Sequence, residues 1–315
     1  MIGNGKQMTD IHDRVETRKR TVWLPYLLLT LTVLFWSGNF VLGRGIRELI
    51  PPVSLNFWRW FGALLILLPF GIPRIRKQSK LMRRHWKMMA LMSIPSVAIF
   101  NAFIYTALQS TTAMNTVLVN AMIPVFIAIT AWLIFGDRMS LRQSVGVLVS
   151  MTGLLSIITR GDFFVLGTLG FSRGDLWTLG AGICWAVYSV TLRLRPKEMD
   201  PIAFLTVIVG FGLFFSTPFY LWELFVKGGF GLSPASLCII GYVCVFPSVL
   251  AYICWNKGVD MVGANRAGIF FHLMPVFSIA LAFLFLGERL RLFHMTGMAL
   301  IFTGIALTTL PVKKQ

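Results

Sequence analysis

Arg59 is the side chain in this 315-residue chain whose setting most invites a chemical role, because it stands inside the apolar run 54–72. A charge in hydrocarbon is costly and marks a functional site by default, so Arg59 is a candidate to meet a substrate carboxylate. Two structural readings stand beside it: snorkelling to the interface near Pro52, or pairing with Glu288. Trp36 and Asn39, spaced i, i+3, put an aromatic ring and a polar tip on one helix face, and Trp185 and Tyr188 do the same further along the chain. Such faces suit the wall of a cavity for a partly apolar metabolite. An interfacial aromatic belt is the simpler alternative, but these residues fall near the middle of their runs.

Polar stripes cross other apolar runs: Asn101, Tyr105 and Gln109; Ser248, Tyr252, Trp255 and Asn256; Asn115 and Asn120; Asn265 and His272. They can contact a substrate or hydrogen-bond neighbouring helices. His272 stands in the interior of an apolar run, and a side chain that titrates near neutral pH could couple movement to protons or could serve in packing. No H-E-x-x-H, no G-x-S-x-G and no pair of intramembrane acids is present. The four cysteines show no C-x-x-C spacing and no histidine at a zinc-like interval, so no catalytic residue, metal site or cofactor is assigned.

The elements that must carry these residues are membrane helices. Only 13% of residues are charged and the mean hydropathy is +0.75, which excludes an ordinary soluble domain. Continuous apolar runs without alternation require helices rather than barrel strands. Ten spans are expected: Trp23 to Gly43, Ser54 to Ile72, Trp86 to Leu108, Thr112 to Phe135, Leu141 to Thr159, Asp175 to Leu192, Pro201 to Glu223, Ala235 to Asn256, Ala264 to Leu286 and Leu292 to Leu310. The first run is too long, and lacks a small-residue cleavage site, to be a removable signal peptide.

A net charge of +17 raises the question of nucleic acid, but the cations gather beside the apolar runs. Arg14, Arg18, Lys19 and Arg20 precede the first, and Arg74, Arg76, Lys77, Lys80, Arg83, Arg84 and Lys87 crowd the loop expected between the second and third. With Arg59 set aside, Lys and Arg sum to about 21 on the side of the termini against about 7 on the other. Both termini are therefore expected in the cytoplasm, with a lipid bilayer and a small molecule as partners and no nucleic acid.

The chain is also internally duplicated. Ile123 to Gly153 aligns without gaps to Met274 to Gly304, matching Pro124 with Pro275, Gly136 with Gly287, Asp137 with Glu288, Arg138 with Arg289, Gly146 with Gly297 and Gly153 with Gly304. A register shifted by two matches Trp36 with Trp185, Pro52 with Pro201 and Pro69 with Pro218, and sets Ile208 opposite Arg59. Five spans per copy is an odd number, so the copies enter the membrane from opposite sides, the inverted-repeat plan of carriers whose halves alternate in opening a central site. The expected division is a basic segment 1–22, a first repeat 23–159, a connecting loop 160–174, a second repeat 175–310 and a tail 311–315. Pro95, Pro124, Pro247 and Pro275 fall inside spans and are candidate hinges, or static kinks. The glycines of the fifth and tenth spans are read as close-packing scaffold or as a dimer contact.

These residues resemble the drug/metabolite transporter superfamily in its ten-helix branch with two EamA-type domains. The likeness is carried by Trp255 to Leu290, Ala107 to Phe126, Gly174 to Leu194 and Phe57 to Pro69. Asp137 stands where glutamate is more usual, which keeps the carboxylate. The resemblance implies a secondary transporter of the cytoplasmic membrane with a central cavity between its halves, often an exporter of amino acids, related metabolites or toxic compounds. A monomer and a homodimer, and proton coupling, exchange and facilitated movement, all stay open. A channel would more naturally show a filter and a symmetric pore lining.

Overall fold

The computed structural model describes residues 23–39, 50–111, 113–168, 170, 172–231, 233–286 and 291–310. The amino-terminal basic segment, Gly43, the stretch 287–290 with Glu288, and the tail 311–315 lie outside them. The described residues form helices and turns and no strand. In chain order the helical stretches are α1 (23–39), α2 (Pro52–Lys77), α3 (Ser79–Ala107), α4 (Ala113–Asn120, resuming as Ile123–Phe135), α5 (Leu141–Ile158) and α6 (Arg173–Thr191). There follow α7 (Pro201–Lys227), α8 (Pro234–Val262), α9 (Ala264–Gly268, a 3-10 turn Ile269–His272, then Leu273–Leu286) and α10 (Leu292–Thr309).

Seven stretches among the described residues are long and apolar enough to cross a membrane: α2, α3, α5, α7, α8, α10 and the part of α4 from Leu118 to Phe135. Their outward faces carry Leu91, Leu133 and Phe225, exposed by 68%, 70% and 92%. Apolar surface of that extent would drive aggregation in water, and lipid tails satisfy it.

Helix ends follow local chemistry. Ser140 and Ser172 build capping boxes with Gln143 and Asp175, so α6 starts at Arg173 rather than at Asp175. Asp200 accepts from the amides of Ile202 and Ala203 ahead of Pro201. Gly136, at φ 71°, ends α4 in the left-handed conformation that lacks a Cβ penalty only for glycine.

Two expectations are revised. The basic run Arg74 to Lys87 is not a loop: α2 continues to Lys77 and α3 begins at Ser79. Cations at the end of α2 complement its carbonyl pole, while Gln78 is tied to the start of α7 by bonds from Nε2 to the Glu198 carbonyl (2.8 Å) and from the Asp200 amide to Oε1 (2.9 Å). The four prolines also fall into two kinds. Pro124 and Pro275 occupy first turns of helices restarting after breaks, where a missing N–H costs little. Pro95 and Pro247 instead sit in π-helical segments, Ile94–Ile99 of α3 and Cys244–Leu250 of α8.

Each helix of the first half touches its sequence counterpart in the second. Trp36 of α1 meets Trp185 of α6 edge to face at 4.8 Å. Ser54 of α2 bonds Glu223 of α7 at 2.7 and 2.9 Å, and Gly71 of α2 packs on Thr206 of α7, so these helices run antiparallel. Tyr252 of α8 donates to the Ser96 carbonyl of α3 at 2.6 Å, and His272 of α9 contacts the Ala121 carbonyl of α4 at 3.0 Å. Between α5 and α10, Gly146 opposes Gly304 and Gly153 opposes Gly297, again antiparallel. The glycine faces are thus consumed within one chain. A Cβ on Gly153 would stand 2.5 Å from the Gly297 carbonyl, with backbone on both sides. Gly153→Leu is therefore expected to lower stability by about 1–3 kcal/mol or more, whereas Gly210→Ala, whose Cβ meets open space, should cause no loss; thermal unfolding of the purified chain compares the two.

Candidate functional site

Where α1, α2, α3 and α8 converge, a buried polar centre forms around Arg59, which is 1% exposed and so does not snorkel. Nε donates to Ser248 Oγ at 2.6 Å and Nη2 to the Pro247 carbonyl at 2.8 Å. Nη1 donates to Asn101 Oδ1 at 2.7 Å and to Tyr105 Oη at 3.1 Å. Tyr105 passes its own proton to Asn39 Oδ1 at 3.1 Å. The guanidinium also lies over the Trp60 ring, 5.2 Å from its centroid.

The backbone acceptors arise from proline chemistry. Pro247 has no N–H to offer the Val243 carbonyl four residues earlier; the π segment turns that carbonyl to the amide five residues on, and Ser248 Oγ bonds it as well at 2.6 Å. Within the same π segment the Pro247 carbonyl receives both Arg59 and the Trp36 indole, the latter at 3.1 Å. In α3 the corresponding segment offers the Ser96 carbonyl to Tyr252 and the Val97 and Ala98 carbonyls to Asn56 Nδ2 at 3.4 and 3.3 Å.

A recess opens beside this centre, lined by Trp36 and Asn39 of α1, Phe100, Asn101 and Ile104 of α3, Asn120 of α4, and Phe271 and Met274 of α9. Residues of both halves therefore form its wall. Its floor is an aromatic plug: Trp185, Trp255 and Tyr252 are fully buried, with Trp185 and Trp255 ring centroids 5.4 Å apart and Trp36 5.5 Å from Trp255. Behind it Tyr188 donates to Asn256 Oδ1 at 2.8 Å.

The residues singled out in the sequence fall into three groups. Trp36, Asn39 and Asn101 line the recess, with Arg59 and Tyr105 hydrogen-bonded directly behind them. Trp185, Tyr188, Tyr252 and Trp255 belong to the plug and its backing. Asn115 and His272 stand elsewhere: Asn115 Nδ2 bonds Asp175 at 2.9 Å and the Gly170 carbonyl at 3.1 Å. His272 has Nδ1 on Ser150 Oγ at 2.7 Å and Nε2 on a carbonyl that can only accept, so the proton sits on Nε2. Asn56 was missed, although its place three residues before Arg59 in an apolar run is the signal that finds it. The apolar wall residues Phe100, Ile104, Phe271 and Met274 carried none.

A family model, described as the EamA-like transporter family, matches residues 23–159 and again 172–310. The chain belongs to the EamA-like transporter family. Among similar proteins, the uncharacterized transporter YyaM of Bacillus subtilis is 29% identical over 89% of this chain and 92% of its own length. An uncharacterized transporter of Archaeoglobus fulgidus is 28% identical over 90% and 96%, and a chloroplastic WAT1-related protein of Arabidopsis thaliana is 23% identical over 92% and 70%. A crystal structure of a protein 19% identical superposes with a TM-score of 0.72 over 90% of this chain and 96% of that one, a likeness of fold. The EamA protein described here is thus a multi-pass membrane protein of a transporter family, all-helical in its described residues.

Two variants test how buried polar contacts hold its fold, one at the polar centre and one away from it. Ser248→Ala removes the acceptor of Arg59 Nε and the donor to Val243, and His272→Leu strands the Ala121 carbonyl and Ser150 Oγ. Each should destabilise the fold by about 1–3 kcal/mol, read as a lowered unfolding temperature in detergent.

Proposed function

We propose that this EamA protein is a secondary transporter that exports small organic metabolites, amino acids and related compounds or drugs, across the cytoplasmic membrane by alternating access. In this reading ten helices span the membrane as two inverted five-helix repeats, 23–159 and 175–310, joined by 160–174, with both termini in the cytoplasm. The observation that carries it is the recess at the seam of the halves, floored by the contact of the equivalent residues Trp36 and Trp185. A barrier made of repeat-related parts can reform on the opposite side by the same movement of the other half. The contacts of each helix with its counterpart, antiparallel for α2 with α7 and α5 with α10, support the inversion.

Substrate enters against Trp36, Asn39, Asn101 and the Arg59–Tyr105 pair; Trp185, Tyr188, Tyr252 and Trp255 join its wall when the plug parts. Pro95 and Pro247 are the hinges, because π segments already lack part of their helical ladder and bend at little further cost. Pro124 and Pro275 mark the joints at which α4 and α9 restart. His272 serves as a neutral brace between α9, α4 and α5 rather than as the proton carrier, and each chain holds its own pathway, as a monomer or within a homodimer. A channel-like facilitator is the competing reading; the buried plug across the seam favours the carrier.

Counterflow in proteoliposomes, screened with amino acids, nucleosides and amphipathic drugs, tests the proposal. A carrier shows uptake of label stimulated by unlabelled substrate inside, and a channel shows none. Trp36→Ala and Trp185→Ala are expected to cut that exchange about tenfold or more by breaching the plug and its wall, with folded protein retained. Unchanged exchange in both variants would remove the aromatic seam from the transport path.

A further inference from the structure

We propose that the transported molecule bears a carboxylate, and that Arg59 together with Asn101 is the element that recognises it; this rests on the carrier reading above. A guanidinium has five N–H donors. Four bonds are made from Arg59, to Ser248 Oγ, Asn101 Oδ1, Tyr105 Oη and the Pro247 carbonyl, and every acceptor is neutral. One N–H on Nη2 has no acceptor among the described residues, and no carboxylate there lies within ion-pair distance of Arg59. The other buried acids are engaged elsewhere: Glu223 with Ser54 and Lys227, Asp175 with Asn115 and Ser172. Among the described residues, nothing therefore neutralises the positive charge of this centre, which is held away from water, where its attraction for an anion is screened least.

Asn101 supplies the second donor. A guanidinium cannot accept, so the amide oxygen must be the atom facing Arg59, which fixes the orientation of the side chain. Asn101 Nδ2 is buried and makes no hydrogen bond of good geometry, although the Tyr252 hydroxyl lies near enough to interact with it, and the residue lines the recess. The two oxygens of a carboxylate match these two unfilled donors, one on Asn101 and one on the guanidinium, with a charge-assisted bond to the latter. The remaining walls, Trp36, Phe100, Ile104 and Phe271, are apolar or aromatic; the recess has room for about one water molecule, so an organic body enters it only as the plug parts, and such walls then favour it over a hydrated inorganic anion. Ile208, the counterpart of Arg59 in the second half, offers no such charge, so the recognition belongs to one half alone.

The test uses the full chain in lipid nanodiscs and matched probes differing only in charge: phenylacetate against phenylacetamide, hexanoate against hexanamide, with chloride and inorganic phosphate as inorganic arms. Binding is read by ligand-dependent thermal shift and tryptophan fluorescence. At least one carboxylate should bind about tenfold or more tightly than its amide, R59K should keep a weakened preference, and R59M should abolish it. N101L should weaken the carboxylate more than the amide and so narrow the preference, which keeps the proposal testable where R59M does not fold. Equal binding of acid and amide, no binding by either carboxylate, an inorganic anion binding as tightly as the carboxylates, or an unaltered preference in N101L would overturn it. Counterflow of the same pairs separates the two levels: exchange of amides without carboxylates sinks the charge assignment and spares the carrier. Carboxylate binding without trans-stimulated exchange sinks the carrier reading and spares the site.

Discussion

A backbone carbonyl that loses its helical donor inside hydrocarbon has no water to turn to, and its replacement must come from a side chain. The site of this EamA protein is assembled from such replacements. Pro247 withholds its donor from the Val243 carbonyl, the Ser248 hydroxyl donates to that carbonyl, and the same hydroxyl accepts from Arg59. The Pro247 carbonyl gathers Trp36 and Arg59, the Ser96 carbonyl gathers Tyr252, and the Ala121 carbonyl at the break of α4 gathers His272 from the break of α9. The irregular stretches of α3, α4, α8 and α9 thus supply acceptors, and satisfying them stitches the two halves together where the recess lies.

The scaffold is built in matching pairs, yet the chemistry on it is lopsided. Trp36 has an acceptor for its indole N–H, whereas Trp185, its counterpart, has none among the described residues. Arg59 faces a half that presents Ile208, fully buried, at the equivalent place. The two repeats supply a matched scaffold, and one side chain, Arg59, breaks the match by placing a buried positive charge on one half alone. Because the acceptors around the guanidinium among the described residues are neutral oxygens, these hydrogen bonds hold it in position without cancelling its charge.

Much of this architecture could be read from the residue order. The apolar runs, the paired prolines and the Gly146, Gly153, Gly297 and Gly304 quartet have direct physical meaning one residue at a time: length to span, loss of an N–H, absence of a Cβ. The basic run Arg74 to Lys87 was misread as a loop because charge marks the edge of hydrocarbon, not the end of a helix. Tertiary ties from Gln78 to the start of α7 support helix on both sides of a single residue.

What the sequence by itself determined is the set of elements and their twofold kinship, since periodicity, hydropathy and repeated motifs are properties of neighbours along the chain. Which polar residues meet was decided only by the tertiary structure. Asn101 and Asn115 look alike as lone amides in apolar runs, but one reaches a guanidinium and the other Asp175. His272 stands alone as a histidine inside its apolar run, yet its two nitrogens meet Ser150 and Ala121, more than a hundred residues away along the chain. The physical reason is the reach of a hydrogen bond, about 3 Å: partnership depends on helix rotation and crossing, which are set by packing across the seam and are not written in the order of residues.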